Sequence, residues 1–284
     1  VTTTTKDHTA IDVKYVDVVT KDADGDVIFD MRQVEAPVLW RESDIAIVAQ
    51  KYLHPKDERS IPNMIQRVVQ TISRKGLELG YFEDEEERAE FAVSLFHLVV
   101  DQKFAWNSPV WFNVGIEEQP QCWACLILRV EDDMHGPDGI KAWIENEAQC
   151  FLGGSGVGVN VSPVRADREP LRSGKGYASG PVSFMQWADA GAGSIKSGGR
   201  TRRAAKMVIM DADHPDIMQF VGVKARAEAA ARLLQRNSFD ISLNGRDAFL
   251  VPFQNANHSV RVTDEFMESL EHDRTWFLRP RLAP

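Results

Sequence analysis

The chain has 284 residues, 43% of them hydrophobic, and a formal net charge of -9, enough apolar material for a buried core in one large or two ordinary domains. The acid excess excludes a surface that grips a nucleic-acid polymer along its length, because a phosphate backbone calls for a net basic face; any anion site must be local, and the run from Arg200 to Lys206 is the obvious one. No apolar run approaches the ~20 residues that cross a bilayer, and the stretch from Val1 to Asp12 is polar, without the apolar centre of a secretory signal. The cytoplasm is therefore the expected location, and no membrane partner is expected.

In chain order, the Thr-rich start from Val1 to Thr9 is expected to be disordered. Two β-rich runs, Val13 to Thr20 and Val27 to Met31, flank Asp22-Ala23-Asp24-Gly25-Asp26, whose Asp-Gly step reads as a hairpin turn. No Glu closes an EF-hand spacing there, so calcium is not expected. Ser43 can cap a helix carrying Ile45, Ile47, Val48 and Tyr52, which should stop at His54-Pro55. A longer helix from Pro62 places Ile65, Val68, Val69, Ile72 and Leu77 on one face, and another from about Glu83 has an acidic first turn and runs through Phe91, Leu95 and Val99. Residues 1–103 thus form a mainly helical N-terminal region with no evident chemistry. His54 and His97 are single imidazoles without a partner at metal-ligand spacing and read as packed or surface groups.

Beyond Phe104 the texture changes to short apolar stretches broken by Gly, Pro and Asn. Candidate strands are Cys125 to Val130, Gly158 to Ser162, Ala205 to Met210 and Phe239 to Leu243; candidate helices are Gly139 to Phe151, Ser183 to Ala190 and one capped by Asp213. That alternation predicts an α/β architecture over residues 104–284.

Three cysteines are too few for a disulfide scaffold. Cys122 and Cys125 stand as C-x-x-C, which fits dithiol chemistry and equally a buried structural pair; no second C-x-x-C or paired histidines complete a zinc site, so no metal ligand is assigned. The run Gly153-Gly154-Ser155-Gly156-Val157-Gly158 could cradle phosphate or merely turn tightly. It follows a helix and precedes a strand, the reverse of the dinucleotide fingerprint, and no P-loop motif is present. Arg200, Arg202, Arg203 and Lys206, flanked by Gly193, Gly198 and Gly199, read either as a solvated basic surface or as a nucleotide contact.

Taken in this order, several segments resemble ribonucleotide reductase, most closely the large chain of the adenosylcobalamin-dependent class II enzymes. They are Asn107 to Gly115, Cys122-Trp123-Ala124-Cys125, Gly154 to Asn160, Gly176 to Met185, Ile195 to Met207, Asp213-His214-Pro215-Asp216-Ile217, and Gln254 to Met267. The resemblance implies radical reduction of the ribose 2′-hydroxyl, for deoxyribonucleotide and DNA synthesis, inside a ten-stranded α/β barrel of which this chain carries the first part. It implies that Cys125 is a reducing cysteine and that Ser108, Ala124, Cys125 and Gly156 hold the ribonucleotide substrate. Asp132, Arg165 and Arg172 match a site for a deoxynucleotide or ATP effector, and Ser197, Gly198, Gly199, Arg200, Thr201, Arg202 and Arg203 match the loop that carries its message to the substrate. Adenosylcobalamin, a thioredoxin-type reductant and a homodimer are implied in the same way.

The sequence also departs from the family. The radical cysteine, the partner of Cys125, much of the cobalamin pocket and a C-terminal C-x-x-C shuttle have no counterpart, and the tail from Arg274 to Pro284 looks foreign to it. The chain is expected to be the N-terminal portion of a reductase, inactive alone. The alternatives are a non-catalytic nucleotide-binding module and a small thiol oxidoreductase using Cys122 and Cys125.

Overall fold

The computed structural model describes residues 10–22, 25–171, 173–195, 205–242 and 245–282. The chain divides into two compact units, Val1–Ala124 and Cys125–Pro284. The Thr-rich start lies outside the described residues.

In the first unit, β1 (Val13–Lys21) and β2 (Val27–Pro37) form the expected antiparallel hairpin. Its turn is held by Asp22, whose carboxylate accepts the Asp26 amide at 2.9 Å. β2 runs past Met31 because Val34 and Ala36 are fully buried under the helices. Helix α1 (Glu42–Lys51) starts from Arg41, which makes no side-chain cap, so Ser43 lies inside the first turn and is not the cap. Helix α2 (Ile61–Glu78) is capped by Ser60, and α3 (Glu85–Val100) by Asp84, whose carboxylate accepts the amides of Glu86 and Glu87. A short α4 (Ser108–Asn113) follows, with Asn107 accepting the Val110 amide.

The core of this unit gathers Val34, Ile45, Ile65, Val68 and Phe96 together with Val110, Trp111 and Val114. Those last three residues explain why the contacts divide after Ala124, whereas the change of sequence texture falls near Phe104. Arg67 on α2 locks α4 in place. Its guanidinium pairs with the buried Asp57 at 2.7 Å, donates to the Trp111 carbonyl at 3.0 Å and reaches the Val114 carbonyl.

In the second unit β3 (Cys125–Leu128), β4 (Gly156–Asn160), β7 (Lys206–Asp211) and β8 (Ala256–Arg261) form one parallel sheet in sequential order. Parallel neighbours need crossovers, here supplied by α5 (Ile140–Leu152), α6 (Gly180–Ser194) and α7 (Ile217–Arg236). A small antiparallel pair, β5 (Asp167–Pro170) and β6 (Tyr177–Ser179), interrupts the second crossover. Residues of alternate parity on a strand face opposite sides. Val159, Val208, Met210 and Ala256 bury with α5, α6 and α7 in one core, and Val157 joins Phe151 in a neighbouring cluster.

The other parity, Cys125 and Ile127 on β3, Gly158 on β4 and Met207 on β7, lines a face these helices do not cover; Ile127 is 91% exposed. The unit is therefore an incomplete α/β barrel, with the sheet unclosed among the described residues.

Two sequence expectations are corrected. Residues 239–242 form no strand, because Asp240 folds onto itself, its carboxylate accepting the Ser242 hydroxyl at 2.6 Å while its amide donates to Asp247; Leu243 lies outside the described residues. Asp213 does not cap α7, which starts after Asp216; its carboxylate instead receives Arg281 at 2.5 Å.

Helix α8 (Asp264–Glu271), capped by Thr263, leads into a tail that returns to the sheet. The Trp276 indole donates to the Ala212 carbonyl at 3.1 Å, the Arg279 amide to the Asp213 carbonyl at 2.7 Å, and the amides of Arg281 and Leu282 to Glu169 at 3.2 and 3.0 Å. Among the described residues no helix is long and apolar enough to cross a membrane.

Candidate functional site

Cys125 is the first residue of β3 and is exposed on the uncovered face, in register with Gly156 on β4. The glycine run leads into β4 beside it. Gly154 takes φ +78 just past the end of α5, the left-handed position that closes a helix and suits glycine, and the Ser155 amide then bonds the Cys150 carbonyl at 2.9 Å. Gly156 and Gly158 carry no side chains, so the strip beside Cys125 and Ile127 is bare backbone; a β-carbon on Gly158 would touch Ile127 at 4.0 Å. Of the two roles open to these glycines, the turn is observed directly, and the bare strip is what a close-approaching ligand needs.

All three cysteines are free thiols. Cys122 is half-buried against the first core, its Sγ donating to the Pro120 carbonyl at 3.5 Å, and burial pushes its thiol pKa up. Cys150 is buried on α5, its thiol pushed up by burial and then by the charge of Glu147. Only Cys125 of the three is exposed.

Ser108 opens α4 in the first unit, with its hydroxyl 2.9 Å from that of Tyr52, and Ala124 ends that unit. Asp132 and Arg165 follow β3 and β4 respectively, on loops beyond the C-terminal ends of adjacent parallel strands, where open α/β sheets receive ligands. The two are paired: Arg165 Nε lies 2.7 Å from Asp132, its amide bonds the same carboxylate at 3.2 Å, and its Nη1 donates to the Pro170 carbonyl at 3.2 Å. Arg172 and the loop Ser197 to Arg203 lie outside the described residues.

Lys206, counted with the basic run in the sequence, is not a surface cation. Strand parity turns it to the helix side, where Nζ is 2.8 Å from Glu147 and the side chains are 0% and 2% exposed. The Trp143 indole also donates to Glu147 at 2.7 Å, and Lys206 Nζ lies 5.5 Å from the centre of that ring. Burial pushes the Glu147 carboxyl above its ordinary range, Lys206 offsetting this in part.

Two pairings of polar residues carry no signal in the sequence. Tyr52 and Ser108 are 56 positions apart, with no local pattern to join them. At the ends of β4, β7 and β8, Asp211 accepts Asn160 at 3.2 Å and Arg261 at 2.7 Å, while its amide donates to Ser162 at 2.7 Å; only the strand alignment brings these together.

Comparison with known proteins adds a second line. The family model described as ribonucleotide reductase, barrel domain, matches residues 123–281. That match takes in most of the tail read from sequence as foreign, so the tail up to Arg281 is part of the family pattern. The vitamin B12-dependent ribonucleotide reductase of Streptomyces clavuligerus is 46% identical over 271 residues, covering 94% of this chain and 28% of the relative. That of Rhodopirellula baltica is 39% identical over 293 residues, covering 91% and 28%. A vitamin B12-dependent ribonucleoside-diphosphate reductase of Thermoplasma acidophilum is 30% identical over 228 residues, covering 80% and 25%. The chain thus spans about a quarter of the length of these relatives. With parallel strands in sequential order, an exposed thiol opening the first of them and a family match that covers more than half of the chain, this protein belongs to the ribonucleotide reductase barrel-domain family.

Proposed function

We propose that the chain is the N-terminal part of an adenosylcobalamin-dependent ribonucleotide reductase, and that alone it binds nucleotides without turning them over. The observation that supports this best is the placement of Cys125, an exposed thiol beside the bare backbone of β4 while Cys122 and Cys150 are withdrawn. Cys125 acts as one of two reducing cysteines: the pair gives up two electrons and two protons and becomes a disulfide, one proton leaving with the ribose 2′-hydroxyl as water and the other, with the two electrons, ending as the new C2′–H bond. Its partner and the thiyl-forming cysteine belong to the remainder of such an enzyme.

Ser108, Ala124 and Gly156 hold the ribonucleotide through hydroxyl or backbone groups. Asp132, Arg165 and Arg172 form the effector site, and Ser197 to Arg203 carry its signal. In this reading the Asp132–Arg165 pair fixes the guanidinium so that it can meet an anionic ligand without first being ordered. A thioredoxin-type reductant restores the dithiol, and two copies associate as a homodimer. The cofactor supplies the initiating radical when bound. No step through the cofactor is assigned to the residues of this chain.

The test is alkylation of Cys125 by iodoacetamide with and without CDP or CTP. Nucleotide should slow it, and dTTP binding should weaken in Arg165→Ala but not in Cys125→Ser. Mixing the chain with CDP, adenosylcobalamin and dithiol should give no deoxynucleotide. Alkylation indifferent to every nucleotide would sink the substrate reading. Loss of dithiol activity in Cys122→Ser would favour a thiol oxidoreductase in its place.

A further inference from the structure

We infer that Tyr52 is a positioning residue for the substrate, acting through Ser108; this rests on the reading of Ser108 as a substrate contact. The two hydroxyl oxygens lie 2.9 Å apart, within one unit, and both are half-buried. Each end of the contact is held independently. Tyr52 closes α1, its amide bonded to the Val48 carbonyl at 2.9 Å, and its ring lies 9° from parallel with that of Phe112 at 6.5 Å between centres. It also forms part of the wall of a cavity of about 390 Å³ shared with Trp40, Met64, Trp106 and Trp111. Ser108 is fixed by the Asn107 cap and by the grip of Arg67 on the Trp111 carbonyl.

A serine hydroxyl has one proton to give and two lone pairs to receive, and left alone it turns among three rotamers. The phenol is the better donor of the two groups. When it donates into Ser108 Oγ, the serine proton remains free for a substrate acceptor, on a bond made stronger by the incoming one. Tyr52 thereby sets where the Ser108 proton points, without touching the substrate itself.

The test is a double-mutant cycle on the 284-residue chain, with CDP as the probe and dTTP as a control ligand. Tyr52→Phe removes one oxygen and is expected to weaken CDP binding by about threefold to tenfold, the range of one neutral hydrogen bond. In a Ser108→Ala background it should cause no further loss, and neither dTTP binding nor the melting temperature should move. Ser108→Ala weakening CDP while Tyr52→Phe leaves it unchanged would overturn the inference alone, as would additive losses in the double variant. Ser108→Ala binding CDP as well as the unsubstituted chain, or an unsubstituted chain that binds no CDP, would remove the substrate reading and the inference with it.

Discussion

Each unit buries an ion pair, and the two pairs are built differently. In the first unit Arg67 and Asp57 are 10% and 1% exposed, and the guanidinium is committed to backbone as well, holding the carbonyls of Trp111 and Val114. In the second, Lys206 and Glu147 are more deeply buried, and the partners added are an indole N–H and an indole face. Arg67 thus staples together three stretches of chain, at Asp57, on α2 and around α4, whereas Lys206 anchors the start of one strand to one helix. The fixed fork of the Arg67 guanidinium meets the Asp57 carboxylate and two carbonyls in set directions, whereas the Lys206 ammonium meets Glu147 and an indole face, so the first pair determines where α4 sits and the second mainly satisfies itself.

The largest effects that test this contrast come from removing one partner. Arg67→Ala and Lys206→Ala should each cost about 3–5 kcal/mol in urea unfolding, since each strands a buried carboxylate; a loss under about 1 kcal/mol in either would show that water reaches the site. Replacing both partners should then separate the pairs. Glu147→Gln with Lys206→Met keeps an acceptor for Trp143 and should fall close to the unsubstituted stability. Asp57→Leu with Arg67→Met leaves two carbonyls without their donor and should still cost about 2–4 kcal/mol. Equal outcomes for the two double variants would erase the distinction.

A smaller effect, confined to the second unit, comes from pH. His258 on β8 is stacked on Phe220 at 5.0 Å, and its ring nitrogens have no partner among the described residues. Burial, then Lys224 and Lys206, pushes its pKa down from 6.5 to about 4. Between those values the unfolded chain takes up a proton that the folded one refuses. Stability should therefore fall as pH drops from about 6.5 to about 4, by on the order of 1–2 kcal/mol after solvent screening. Hydrogen exchange at the amides around Phe220 and His258 would register it, and His258→Phe should remove the part carried by His258, leaving that of His214, whose pKa burial also lowers.

What the sequence made legible was local and periodic. The apolar stripe of α2 and the acidic start of α3 came through because each is a pattern within a few turns. Strand β8 did not, since Asn257 and Ser259 on its open side and Ala256 and His258 on its covered side offer no apolar alternation. Helix α7 buries Ile217, Phe220, Val223, Ala227 and Ala231, but Asp213, which has the chemistry of a cap, serves the tail 68 residues on. At the candidate site the cysteine spacing marked Cys125 as one of a pair. Its exposure on a strand beside glycines, and the burial of Lys206, depend on which parity of each strand meets the helices. That is a property of packing, and short strands carry too few residues to announce it.

Both outer strands of the parallel sheet, β3 and β8, have a neighbour on one side only among the described residues. Unsatisfied strand borders recruit further strands, so a preparation of these 284 residues alone is expected to cluster along those borders when concentrated. How concentrated a stock can be kept clear will be governed by light scattering from such clusters, and a spare polypeptide able to lie along β3 would act as a solubiliser.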